Sequence, residues 1–230
     1  MISLFIYNFL TFSLFHIYDL ISNSKFRFLQ DDRVDRSYRV VNFTKSFLLG
    51  ISSPYAFYLL YCILYNIEYN IYILYVVSSL YASLDASALL YNKHMQMTTI
   101  VHHIVVQLFY YYGVYVNWNS NSVSRLILIY AIFSTFAYLV NYRLAIRKSN
   151  ISKTFINIIN DLSLIIYFLS CITNWTLHTY FIFTTTFVEH YMYIIMYTVL
   201  IFTIAFDDIK LMQYLYTKSI YIKKIFNHLH

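Results

Sequence analysis

Apolar residues fall along this chain in long runs separated by short polar stretches. Seven runs have about the 18 or more residues a helix needs to cross a bilayer. They are roughly Ile2–Ile21, Val40–Tyr65, Asn70–Tyr91, Met97–Val116, Arg125–Ile146, Phe155–Trp175 and Tyr180–Phe206. They are too long and too uniformly apolar for the alternating pattern of a membrane barrel. The pattern therefore predicts an all-α, polytopic transmembrane bundle of about seven spans, with six to eight fitting the run boundaries. The first run lacks a basic start and a small-residue cleavage site, which predicts an uncleaved anchor rather than a signal peptide. Pro54, beside Ser52 and Ser53, predicts a kink in the second span. A charged stretch, Ser24–Arg39, follows the first run, and a basic tail, Lys210–His230, ends the chain. With no internal repeat and no low-complexity linker, one domain is the simplest organisation.

Composition narrows the class. The 230 residues are 60% hydrophobic and 11% charged, whereas a soluble domain carries about 25% charged residues. That excludes a soluble enzyme, a disordered chain and a secreted disulfide scaffold. The 2 Gly and 1 Pro argue against an all-β chain with many tight turns. Heavy use of Ile, Tyr, Phe, Asn and Lys fits AT-rich coding, of the kind found in large DNA viruses and some protists. Cys62 and Cys171 lie alone inside apolar runs and make neither a disulfide framework nor a metal site.

The net charge of +6 acquires a meaning once it is placed on the spans. Arg125 is the one basic residue on one side; the other fifteen of the 16 Lys and Arg fall on the opposite side. The positive-inside rule then predicts a luminal N-terminus and a cytosolic C-terminus. Charge that follows topology forms no stripe for a polyanion, so nucleic acid is not an expected partner. In the tail, Leu211, Leu215, Ile222, Ile225, Phe226 and Leu229 share a helical face. Either an interfacial helix on anionic lipid or an ordinary juxtamembrane extension fits this pattern.

Ionisable groups inside the spans are the candidates for function, because each is costly in hydrocarbon unless paired or wet. Asp85 lies about 9 Å inside the third span, and His102 and His103 lie about 8–9 Å inside the fourth, at 1.5 Å per residue. Asn141 is near the end of the fifth span, and Asn157, Asn160 and Asp161 occupy the first turns of the sixth. Four helices thus place polar groups in the same, cytosolic third. A carboxylate beside a histidine can orient the imidazole, shuttle a proton, grip a headgroup or bind a metal. Mutual satisfaction between helices is the plain alternative. Adjacent helical residues diverge by about 100°, so one imidazole at most can face Asp85 well. Glu189 and His190 fall near the middle of the seventh span, where structural glue and substrate contact are both open. His16 and Asp19, three apart near the end of the first helix, read as interfacial.

The segment Asp85–Ala86–Ser87–Ala88–Leu89–Leu90, with Lys93, Met97 and His102–His103 after it, resembles the core of TLC-domain proteins. That family includes ceramide synthases, the TRAM translocon-associated proteins and a branch with little beyond the domain itself. Arg39–Val40–Val41–Asn42 is similar to the opening motif of the domain, with Lys45 where the motif usually carries His. Ser134–Thr135 and the later Asn141 are similar to a second signature. There Ile132 stands for its Glu, Phe136 for its Pro, and the spacing to Asn is two residues longer. The resemblance covers about residues 38–206, leaving 1–37 as an anchor helix and basic loop and 207–230 as a basic cytosolic tail.

The resemblance implies a membrane protein of the endoplasmic reticulum, or of host membranes for a viral chain, whose partners are membrane lipids. Ceramide synthases carry an acidic run after the His-His pair, used in acyl transfer from acyl-CoA. The run Arg125–Ile146 contains no Asp, Glu or His. The chain is thus more similar to the TLC-only branch, linked to lipid composition, sensing or trafficking. Under that reading Asp85, His102, His103, Asn141, Asn160, Asp161, Glu189 and His190 contact a lipid or other ligand, and no cofactor is expected. The enzyme alternative is a lipid N-acyltransferase with acyl-CoA as co-substrate and His102, His103 and Asp85 as its catalytic group. His94, His102 and His103 do not supply the His boxes of a di-iron oxidase, so no metal is expected. A transporter or channel would use Glu189 and Asp85 along a path, but no inverted repeat supports it. Asn174–Trp175–Thr176 is a glycosylation sequon expected in a luminal sixth loop. Two more sequons, at Asn42 and Asn150, fall on the expected cytosolic side.

Overall fold

A computed structural model describes residues 2–23, 33–92, 95–115, 118, 122–147, 149, 151–187, 189 and 191–222, the side chains of 33–35 excepted. Every regular element among them is helical. The helices are α1 (Ile2–Asn23), α2 (Arg33–Tyr65), α3 (Ile71–Tyr91), α4 (Met97–Tyr115), α5 (Val123–Ser134), α6 (Tyr138–Ala145), α7 (Lys153–Thr184) and α8 (Tyr191–Lys218). A single 3-10 turn, Thr135–Ala137, joins α5 to α6 in one span-length rod. Six helices are long and apolar enough to cross a membrane: α1, α2, α3, the α5–α6 rod, α7 and α8. The chain is a multi-pass helical membrane protein. Helix α4, with 19 residues, stays outside that set. Its two histidines, Gln107 and four tyrosines dilute the apolar pattern, because this helix carries part of the polar site.

The bundle is apolar outside and polar within. Phe5, Phe9, Phe12 and Leu20 of α1 and Val199 and Phe202 of α8 are exposed, while Ser79, Ser83 and Ser87 of α3 are fully buried. Those serines recur every fourth residue, so one small-residue stripe lets α1 lie close along α3. Ser79 Oγ donates to the Ser3 carbonyl at 3.2 Å, Ser87 Oγ to Tyr18 Oη at 3.2 Å, and Tyr91 Oη to Ser22 Oγ at 2.7 Å. The pairs advance together along both chains, so α1 and α3 run parallel. His16 and Asp19 stay exposed on the outer face of α1.

Local chemistry sets the helix ends. Asn70 caps α3, its Oδ1 accepting from the amides of Tyr72 at 2.9 Å and Ile73 at 3.2 Å. Helix α2 stops at Asn66, which takes a left-handed φ of 52°, and the Ile67 amide donates back to the Cys62 carbonyl at 2.9 Å. Pro54 sits inside α2 and denies the Gly50 carbonyl its helical donor. Ser53 Oγ fills that role, donating to Gly50 at 2.8 Å, so the helix continues through the proline.

Helix α2 begins at Arg33, within the charged stretch, rather than at Val40, and three later boundaries also differ from the sequence pattern. The sixth span does not end at Trp175; α7 runs to Thr184. Asn174 and His178, polar enough to look like a loop, are both buried on the inner face of the helix. The sequon at Asn174 is therefore inside the bundle rather than in a luminal loop. The run Tyr180–Phe206 does not form one helix: α7 ends at Thr184 and α8 begins at Tyr191, which moves Glu189 from mid-span to the link between them. Finally, α8 does not stop at Phe206 but continues to Lys218, so half of the expected tail is helix. Leu215 is completely buried there and packs with Val140, Leu164 and Tyr167. That packing sets the tail's inner half into the bundle core; residues 223–230 lie outside the described residues.

Candidate functional site

A cavity of about 370 Å³ opens among α2, α3, α4, the α5–α6 rod, α7 and α8. Its walls follow helical periodicity. Helix α2 contributes Tyr38, Val41, Asn42, Lys45 and Leu49; α3 contributes Tyr81, Leu84, Asp85 and Ala88. Helix α4 adds Thr99, His102 and His103, and α8 adds Asp207, Asp208, Leu211 and Tyr214. The 3-10 turn shapes one side: Ser134 Oγ donates to the Tyr130 carbonyl and Thr135 Oγ1 to Ile132, and Phe133, Ser134 and Ala137 line the space. Asn92, Met95 and Gln96 of the α3–α4 link and Arg147 after α6 place its mouth at the end of the bundle where α3 and α6 finish.

Two acid–imidazole groups face this cavity. In the first, Lys45 Nζ donates to Asp85 Oδ1 at 2.5 Å and lies 3.5 Å from His103 Nε2. His103 Nδ1 approaches Asp85 Oδ1 at 3.1 Å, off the line of a ring N–H hydrogen bond. All three side chains are buried. In the second, His102 Nδ1 lies 3.2 Å from Asp207 Oδ2, again off-line, and its Nε2 pairs with Tyr130 Oη at 3.1 Å. Tyr81 Oη extends this group, donating to Tyr130 Oη at 3.5 Å. Close by, Tyr167 Oη donates to Asp208 Oδ1 at 2.6 Å. The two imidazoles part as neighbouring helical positions must, each toward a different carboxylate.

The other residues singled out in the sequence divide sharply. Asn141 lines the cavity, its Nδ2 tied to the Ala137 carbonyl at 2.9 Å. Asn160 and Asp161 do not line it. Asn160 Nδ2 donates to the Leu215 carbonyl at 2.9 Å, and Asp161 Oδ2 accepts from the Tyr221 amide at 3.2 Å, so both fasten the end of α8. Glu189 is at the opposite end. Its Oε1 accepts from Ser122 Oγ at 2.5 Å, the Val123 amide at 2.9 Å and Tyr112 Oη at 3.3 Å. Those contacts hold the start of α5, where a carboxylate also meets the positive end of the helix dipole. His190 lies outside the described residues.

Five residues at the cavity escape a linear reading. Lys45 looks like a loop charge and a departure from the family motif, yet it stands against Asp85. Asp207 and Asp208 look like the start of a tail. Tyr130 and Tyr167 are lost among 27 tyrosines. A signal was present for the aspartates: Asp207, Leu211 and Tyr214 keep helical spacing beyond Phe206 and share the face that lines the cavity.

Compared with known proteins, the chain matches no family model, no curated protein and no solved structure.

Proposed function

We propose that this chain is a TLC-type membrane protein that binds a lipid headgroup in the cavity, as part of lipid sensing or homeostasis. One observation carries the reading: a cavity of about 370 Å³ lined by Asp85, His102, His103 and Asn141 inside a bundle whose outer face is apolar. Leu49, Leu84, Phe133 and Leu211 give it apolar walls beside the polar groups, as an amphiphile requires. The tight turn at Thr135–Ala137 supports the resemblance, since it falls where the family signature carries Pro. Counted over seven spans, with α4 crossing as well, the fifteen basic residues on one side favour a cytosolic mouth, in the endoplasmic reticulum or a host internal membrane. Purified wild-type protein is expected to retain a bound lipid, and cells expressing it to differ in lipid composition from cells expressing His102→Ala/His103→Ala. Unchanged lipidomes together with no co-purifying lipid would refute the reading.

A second reading has a specific observation in its favour. The acidic partner missing from Arg125–Ile146 is supplied by α8, where Asp207 stands 3.2 Å from His102. A carboxylate on one ring nitrogen leaves the other to act as general base in acyl transfer. Release of free CoA from long-chain acyl-CoA by the purified protein, lost in His102→Ala, is the result that selects this reading over binding alone.

A further inference from the structure

The geometry points to a divalent transition-metal site at Asp85, His102 and His103, for which Lys45 is an internal competitor. This stands independently of the lipid-binding reading. One donor atom from each of the three side chains lies within 4.8 Å of the other two. Tetrahedral donors 2.0–2.1 Å from zinc sit about 3.3 Å apart, so binding draws the three side chains together by about 1.5 Å. Two imidazoles and a carboxylate facing a cavity form the donor set of metal sites that keep an open coordination position. Sequence spacing conceals it: His102 and His103 are adjacent, and only the packing of α3 against α4 adds Asp85.

Two further observations favour a cation here. His103 Nδ1 is buried and lacks an aligned hydrogen-bond partner. The ammonium of Lys45 already lies beside two of the ligands, 2.5 Å from Asp85 Oδ1 and 3.5 Å from His103 Nε2. A dication and this ammonium favour the same negative potential and repel each other, so the metal enters as Lys45 swings away into the cavity. Asp207 completes the arrangement. A carboxylate 3.2 Å from Nδ1 of His102 leaves Nε2 as the ring's ligating atom, as outer carboxylates do for metal-bound histidines. Tyr130, now on Nε2 at 3.1 Å, gives up that contact on loading.

Direct Zn²⁺ titration of the full chain in lipid nanodiscs, after chelation and dialysis, tests the site against a chromophoric competitor. Lys45→Met is expected to bind one Zn²⁺ per chain at least tenfold more tightly than wild type. Adding Asp85→Asn or His103→Ala to Lys45→Met abolishes the gain, and adding Asp207→Asn weakens it by about 10–100-fold. A misfolded chain does not mimic this result, since exposing the 8 histidines gives several weak equivalents instead of one tight one. The proposal is overturned if Lys45→Met binds no more tightly than wild type. It is equally overturned if the gain survives loss of Asp85 or His103. Retained lipid is measured on the same samples, so failure of the metal site leaves the lipid-binding reading separately tested.

Discussion

Asp85 and Glu189 are two of the acids that a linear reading places inside the spans, and the fold treats them oppositely. Glu189 gathers three donors on Oε1, at the first amide of α5, keeps its Oε2 buried without a hydrogen-bond partner, and does not line the 370 Å³ cavity. Asp85 faces a cavity walled by five of the candidate spans and by α4, beside an imidazole whose Nδ1 has no aligned partner. Both satisfy the rule that charge in a membrane must be compensated. The difference lies in what remains after compensation. Around Glu189 the Ser122 hydroxyl and Val123 amide at the start of α5, with Tyr112 of α4, tie the carboxylate to a helix end, which is how structure uses an acid. Around Asp85 the donors come from α2 and α4 and adjoin empty space, which is how a site uses one.

Substitutions sharpen this contrast. The largest expected loss is from Asp85→Leu, which strands the buried Lys45 ammonium and costs about 3–5 kcal/mol. Lys45→Met/Asp85→Leu together recovers most of that loss, since apolar side chains replace the buried pair at little cost. Thermal unfolding in one detergent, followed by exposure of Cys62 and Cys171, reads both variants. An additive double variant would show that the pair is not coupled. Glu189→Ala leaves the Ser122 hydroxyl and Val123 amide unmatched and costs about 1–3 kcal/mol. Retained lipid does not change in that variant, because Glu189 is remote from the cavity; loss of lipid would break the contrast drawn here.

Smaller effects test the outlying asparagine. Asn160→Ala removes one hydrogen bond from α7 to the Leu215 carbonyl and costs about 0.5–1.5 kcal/mol. Faster deuterium exchange is expected at the end of α8, with ligand binding unchanged. His102→Gln is the smallest in stability, below about 1 kcal/mol, since its contacts to Asp207 and Tyr130 are partly open to the cavity. It nevertheless removes lipid retention. Equal losses of stability and ligand in His102→Gln and Asn160→Ala would erase the distinction between site and fastening.

Much of the fold is legible in the residues themselves. Long apolar runs specify helices because a chain in lipid must satisfy its backbone internally. Helical boundaries are less legible where polar side chains turn inward. Asn174 and His178 imitate a loop, and Asp207 and Asp208 imitate a tail, until the bundle provides partners such as Tyr197 for His178 and Tyr167 for Asp208. The candidate site divides in the same way. Asp85, His102, His103 and Asn141 share a depth that helix length alone reveals. Asn160 and Asp161 share that depth too, but depth does not say which way a side chain points.

The sequence by itself determined that this is a helical membrane protein with a few polar groups gathered toward one end. Its apolar periodicity and charge placement respond only to the bilayer, a solvent with one axis. Which of those groups meet depended on rotation about each helix and on which helices are neighbours, and only the tertiary structure decided that. Packing of α2, α3, α4 and α8 brought Lys45 and Asp207 to residues 40 and 105 positions away along the chain, Asp85 and His102. The same packing left Glu189 to hold a helix end, because contacts between distant residues follow the shape of the bundle and not distance along the chain.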